Sequence, residues 1–211
     1  MFDKHRLALE SVIEECRKMF KDGPDCPECS GLSDENAFNI KVLGFVDTGY
    51  SGGHLSKLQP RKKKKGWVIE PGIDRRPASR DSDKGRLVTA WQSMGSFYEI
   101  PVIFTKSGIT DAKHGDKAVG LSTSRGNAIG VLLKSSAGNY TLAHELGHII
   151  GYEGTTDRVH APPAHKEAEA KEHDTGKTSL MHRDAGGTKP DCHYCLKLGK
   201  WTMPRRAIHR P

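Results

Sequence analysis

Between Asn139 and Gly151 the chain reads Asn-Tyr-Thr-Leu-Ala-His-Glu-Leu-Gly-His-Ile-Ile-Gly, an apolar helical pattern interrupted by His144, Glu145 and His148. Two histidines four apart stand on one helix face, about one turn from each other, so both imidazoles can reach a single cation. Zinc is the metal this spacing implies. Glu145 is not a ligand in such an arrangement. It stands beside the first histidine, where it can hold a water at the metal and take its proton. A bare His-Glu-x-x-His also arises by chance in helices, so the flanks decide. Thr141, Leu142 and Ala143 before it, and Leu146, Ile149 and Ile150 within and after it, are uncharged or apolar. The helix is therefore built to be buried, and burying His, Glu and His is costly unless a metal or hydrogen bonds satisfy them.

The rest of the chain can be asked what it adds to that helix. With 211 residues, 35% of them hydrophobic, it is long enough for one sizeable domain or two small lobes. No internal repeat is visible. The apolar runs are far too short to span a bilayer, and the N-terminus lacks a basic-then-apolar signal pattern. The expectation is a cytoplasmic protein, or one exported by a route independent of a signal peptide, with no membrane partner. Net charge is +7 and the isoelectric point about 9.1. A modest positive charge keeps many proteins in solution and does not by itself call for nucleic acid. The basic run Arg61-Lys62-Lys63-Lys64-Lys65 resembles a polyanion-binding patch, but a solvated loop explains it as well.

Five cysteines, an odd number, argue against a pure disulfide framework. Cys26-Pro-Glu-Cys29 and Cys192-His-Tyr-Cys195 are two Cys-x-x-Cys pairs far apart in the chain. Four thiolates from two such pairs can close a tetrahedral structural zinc site, which would staple the N-terminal region to the C-terminal tail. Two disulfides, or unpaired thiols, remain the alternatives.

Taken in order, Phe2, Leu9, Val12, Ile13, Cys16, Met19 and Phe20 recur at helical spacing among charged residues, and Gly23-Pro24 ends that amphipathic helix. Phe38 to Val46 alternates as a strand does. Trp67 to Glu70 predicts a short strand, and Gly85 to Tyr98 a helix carrying Leu87, Val88, Trp91 and Met94. Ile100 to Phe104 and Ala128 to Leu133 read as buried strands, with Ala118 to Thr123 extended between them. The order is helix, strand, strand, strand, metal helix. A twisted sheet packed on that last helix is the simplest assembly.

The residues Ala143-His144-Glu145-Leu146-Gly147-His148-Ile149-Ile150-Gly151, with Ser179-Leu180-Met181 downstream, resemble the metzincin clan of zinc metallopeptidases. The clan's motif is His-Glu-x-x-His-x-x-Gly-x-x-His followed by a methionine-containing turn. The resemblance spans roughly Ile100 to Met181, less one insertion. It implies an α+β, zincin-like fold: a mixed twisted sheet with the active-site helix over about residues 1–151, and a small C-terminal subdomain over about 152–211. Gly151 matches the clan's glycine, where the helix stops in a conformation glycine tolerates best. Met181 matches the methionine that lies under the metal.

The chain departs from the clan at Gly154, which stands where the third ligand belongs. Counting back from Met181, His173 has the spacing that matrix-metalloproteinase-like members show, which implies an insertion from about Tyr152 to Glu172. Asp157 is a rival, because Gly154-Thr155-Thr156-Asp157 resembles the Gly-Thr-x-Asp segment of aspzincins, and His160 is a third. The resemblance implies a zinc-dependent endopeptidase in which Glu145 is the general base toward a protein or peptide substrate. Ala118 to Thr123 would then be the edge strand to which substrate adds. A tyrosine that some members use as electrophile is replaced by Arg183, with His182 beside it. The alternative is a non-catalytic, zinc-organised basic module for nucleic acid or an acidic protein. Glu145 separates the two, since a closed structural site has no use for a base next to its first ligand.

Overall fold

The computed structural model describes residues 2–22, 42, 44, 66–69, 82–94, 100–111, 117–123, 129–150, 180, 182 and 187. In chain order the elements are α1 (Phe2–Asp22), β1 (Trp67–Ile69), α2 (Asp83–Met94), β2 (Val102–Thr105), β3 (Ile109–Asp111), β4 (Lys117–Ala118), β5 (Gly120–Thr123), β6 (Gly130–Lys134) and α3 (Asn139–Ile150). The class is α+β. Contacts gather the chain into two compact units, Met1–Leu43 with Gly138–Thr202, and Gly44–Ala137 with Met203–Pro211. The division between them in the chain falls just before α3.

The second unit holds the six strands of the described residues, in two mixed sheets. One has the order β1-β3-β4, with β1 parallel to β3 (Trp67 opposite Ile109) and β4 antiparallel to β3. The other has the order β2-β6-β5, with β2 parallel to β6 (Ile103 opposite Leu132) and β5 antiparallel to β6 (Leu121 opposite Leu132). The extended segment expected at Ala118–Thr123 is therefore two strands in two sheets. Val119 is the crossing point: it is exposed, yet its carbonyl accepts from Lys134 N–H at 2.9 Å and continues the β5 ladder by one residue. Among the described residues β5 is an outer strand of its sheet. β6 is central and buried from Gly130 to Leu133, which is why it reads as an unbroken apolar run and not as an alternation.

Helix α2 starts at a conventional cap. Ser82 Oγ accepts from Gly85 N–H at 3.0 Å, and Ser82 carbonyl accepts from Arg86 N–H at 3.0 Å. The buried carboxylate of Asp83 then accepts from Val68 N–H of β1 at 2.9 Å, fixing helix to strand. Leu87, Ala90 and Trp91 face a core that includes Trp67, Ile103 and Leu132. Buried indoles need a partner for their N–H. Trp67 Nε1 donates to Thr105 Oγ1 at 3.2 Å, and Trp91 Nε1 to Val131 carbonyl at 3.3 Å. Two glycines make close approaches possible. Gly66 has φ 76°, and a side chain there would overlap the Gly108 backbone, whose carbonyl accepts from Trp67 N–H at 2.7 Å. At Gly130 an added Cβ would lie 2.6 Å from Trp91 Cδ2 and closer to Cδ1 and Cγ.

In the first unit α1 packs against α3. Ile13 and Cys16 are buried, Leu9, Val12 and Met19 half-buried, and Glu10, Glu14, Glu15 and Lys18 exposed, so the apolar stripe is the packed face. Arg17 pairs with Glu14 one turn back on the outer side. The strand expected at Ile100–Phe104 begins only at Val102. Pro101 has no N–H for a ladder, but its carbonyl accepts from Val131 N–H at 2.9 Å. β3 was not legible, being three residues that follow Gly108. Of the strand expected at 38–46, only Val42 and Gly44 are described, and neither lies in a helix or strand. No helix among the described residues is long and apolar enough to cross a membrane.

Candidate metal centre

Helix α3 begins immediately after β6. Ala137 N–H donates to Lys134 carbonyl at 2.8 Å to close the turn, and Thr141 N–H donates to Gly138 carbonyl at 3.0 Å to open the helix. From Thr141 to Gly147 every residue is buried, which the run of Leu142, Ala143 and Leu146 accounts for. His144 and Glu145 are carried into that interior, at 4% and 7% exposure, while His148 is half-buried.

The two imidazoles converge. His144 Nε2 and His148 Nε2 lie 3.1 Å apart, with ring centroids separated by 4.8 Å and ring planes at 87°. The opposite nitrogen of the first ring settles its tautomer: His144 Nδ1 is 2.7 Å from the carbonyl of Leu180, a buried residue. A carbonyl oxygen only accepts, so Nδ1 carries the hydrogen and Nε2 presents its lone pair. His148 Nε2–H donates to that lone pair when no cation stands between them. Second-sphere carbonyls orient metal-bound histidines in the same way.

Electrostatics favour the neutral form a ligand must have. Burial is the main cause that holds the His144 pKa below its ordinary 6.5; the Leu180 hydrogen bond works against it, and a charge on nearby His182 works with it. His182, half-buried, is placed beside the pair because it follows Leu180 by two residues. The resemblance offers His182 only as one of two replacements, with Arg183, for a tyrosine electrophile. The carbonyl of Leu180 was not foreseen at all.

The 3.1 Å between the Nε2 atoms is short enough for one cation to bridge them, and two imidazole nitrogens are donors of the kind zinc takes. Among the described residues no group of three or more His, Cys, Asp or Glu side chains is placed to hold a metal ion. His173, Asp157 and His160, named for the third position, lie outside the described residues, as do Met181, Arg183 and the pairs Cys26/Cys29 and Cys192/Cys195.

No protein-family model, curated protein or solved structure matches the chain. The pair's own geometry is what bears on its role. Two imidazole nitrogens lie 3.1 Å apart, the His144 ring held by a carbonyl 36 residues downstream, with the buried Glu145 carboxylate next to His144 in sequence.

Proposed function

We propose that the chain is a zinc-dependent endopeptidase of metzincin type. The observation that carries this reading is the 2.7 Å bond from His144 Nδ1 to the Leu180 carbonyl. It ties the His-Glu-x-x-His helix to the Ser179-Leu180-Met181 segment, the second motif of the resemblance, and leaves His144 Nε2 available for a metal. Zinc would be held by His144, His148 and a third ligand, for which His173 is the first choice and Asp157 or His160 the alternatives. Bound there, zinc supplies a Lewis acid that polarises a peptide carbonyl and acidifies a water to a pKa near about 7. Glu145 takes the proton as the water attacks and returns it to the departing amine. A carboxylate with that task works best in a setting screened from bulk water, and Glu145 is buried. Cys26, Cys29, Cys192 and Cys195 would hold a second, structural zinc.

The test is zinc content by elemental analysis, together with hydrolysis of a quenched-fluorescent peptide library. Wild type is expected to hold two zincs per chain, with one lost in His148→Ala and in His173→Ala, and the other lost in Cys192→Ala/Cys195→Ala. Full metal in His173→Ala moves the third ligand to Asp157 or His160. A wild-type chain that takes up no zinc after reconstitution ends the peptidase reading. A chain that binds zinc at His144 and His148 but cleaves no member of the library supports the non-catalytic zinc module instead.

A further inference from the structure

One end of the second unit gathers lysines from separate stretches of chain. β2 ends at Thr105, which opposes Lys134 at the end of β6, and Lys106 follows directly. The chain then turns through Ser107 and Gly108 to Ile109, which opposes both Trp67 at the start of β1 and Ala118 at the end of β4. Lys117 precedes Ala118. Val119 stands opposite Lys134, whose N–H it accepts at 2.9 Å, one residue beyond the Gly120–Leu133 pair. Strand pairing thus brings Lys106, Lys117 and Lys134 to the same end of the two sheets.

These charges are not neutralised locally. Lys106 and Lys117 are exposed and Lys134 is half-buried. Among the described residues none of the three side chains is in an ion pair. The segments that build this end, 66–69, 102–110, 117–123 and 129–137, contain no Asp or Glu. Asp111 closes β3 at its far end, and Asp116, next to Lys117 in sequence, lies outside the described residues. The basic run at 61–65 lies outside them too, but it is joined to Gly66, which packs on the Gly108 backbone at this same end. Lysines that serve only solubility are interleaved with acids, as they are on α1. Unmixed positive charge raises the local potential and draws anions.

The same end carries an apolar group. Val119, at 44% exposure, is the one large hydrophobic side chain exposed among the described residues. As the residue opposite Lys134 it shares a sheet face with that lysine. A phosphate backbone gains nothing from a valine, and no aromatic side chain is exposed among the described residues for bases to stack on. A peptide can supply both chemistries at once.

We propose that this end of the second unit docks an acidic protein segment in which carboxylates flank an apolar side chain: Lys106, Lys117 and Lys134 meet the carboxylates, and Val119 meets the apolar group. Such docking involves the second unit alone and is independent of the peptidase reading.

The test is fluorescence anisotropy of the full chain with two labelled probes, the peptide Glu-Asp-Leu-Asp-Glu and a short DNA duplex. The intact mass of the peptide is checked at the end, so that hydrolysis cannot pass for lost binding. Wild type is expected to bind the peptide saturably, more weakly as salt is raised, and not to bind its Gln-Asn-Leu-Asn-Gln counterpart. Lys106→Gln/Lys117→Gln/Lys134→Gln should bind about tenfold more weakly, the sum of three exposed ion pairs. Lys106→Gln/Lys117→Gln, which spares the half-buried lysine should the triple variant fold poorly, should bind about fivefold more weakly. Arginine at all three positions keeps the charge and should stay within about twofold of wild type. Val119→Ser should cost about threefold. Wild-type affinity in both glutamine variants overturns the proposal, as does a wild-type chain that does not bind the peptide. Tighter binding of the duplex than of the peptide overturns it in favour of a nucleic-acid surface. If affinity falls only when residues 61–65 are all glutamine, the run and not the sheet end is the site, and the proposal fails.

Discussion

Gly130→Ala tests the packing that sets β6 against α2. The added Cβ would stand 2.6 Å from Trp91 Cδ2 and nearer still to Cδ1 and Cγ, where carbon atoms ordinarily keep about 3.5–4.0 Å. An overlap of about 1 Å or more cannot be absorbed by a side-chain tip, because the contact is with the rigid body of a ring that is itself fully buried. Either β6 or the indole has to move. Moving the indole breaks the 3.3 Å bond from Trp91 Nε1 to Val131 carbonyl and leaves a buried N–H unpaired. Overpacking costs about 1–3 kcal/mol, and an orphaned buried donor about 1–3 kcal/mol more. The expected loss is therefore about 2–6 kcal/mol, read as a lower urea midpoint by far-ultraviolet circular dichroism. Gly130→Ala/Trp91→Leu should recover part of it, since the smaller side chain makes room for the methyl group. A single variant within about 0.5 kcal/mol of wild type, the range of an ordinary surface substitution, refutes the reasoning.

Three further outcomes follow from the described residues. On the proposed peptidase reading, Glu145→Gln should bind zinc as wild type does yet lose at least about a hundredfold in peptide hydrolysis, as removal of a general base does; retained turnover would assign the proton transfer elsewhere. Burial pushes the Cys16 thiol up to about 12, with Arg17 opposing only in part. Iodoacetamide at pH 8 should therefore leave Cys16 unmodified in the native chain by peptide mass mapping. Because this pKa is raised on folding, the associated stability is present below the unfolded value and is lost as pH rises from about 9 toward about 12. The sign is opposite for His144, whose pKa is lowered. The unfolded chain binds the proton more readily, so the metal-free protein should lose stability as pH falls below about 6.5, and His144→Asn should flatten that slope in urea titrations.

The parts of the fold that sequence made legible are those where one physical cause acts alone. α1 shows a clean apolar stripe because one face packs and the other is wet. β6 shows a continuous apolar run because it is central and covered. β3 and the break at Val119 depend on which strand comes to lie alongside, and no local pattern records that. At the site, the convergence of His144 and His148 follows from four-residue helical spacing, so the pair was legible. The Leu180 carbonyl was not, since a backbone acceptor has no side-chain signature; the methionine-turn resemblance pointed to the segment but not to the atom. The apolar flanks likewise announced that Thr141 would be buried. They did not announce that its hydroxyl would find no partner among the described residues. The third ligand that the resemblance calls for stays open: it ranks His173, Asp157 and His160, and none of the three lies among the described residues.

The His144–Leu180 bond also has a meaning in time. The ring that it orients is synthesised 36 residues ahead of the carbonyl that orients it. At ribosomal rates of about 5–20 residues per second, the motif helix exists for about two to seven seconds before its partner has been made. Through that interval His144 is free to carry its hydrogen on either nitrogen, and the lone pair has no fixed direction. A growing chain therefore holds the letters of the His-Glu-x-x-His motif before it owns the geometry that Leu180 gives His144, and chains arrested ahead of Leu180 never acquire it.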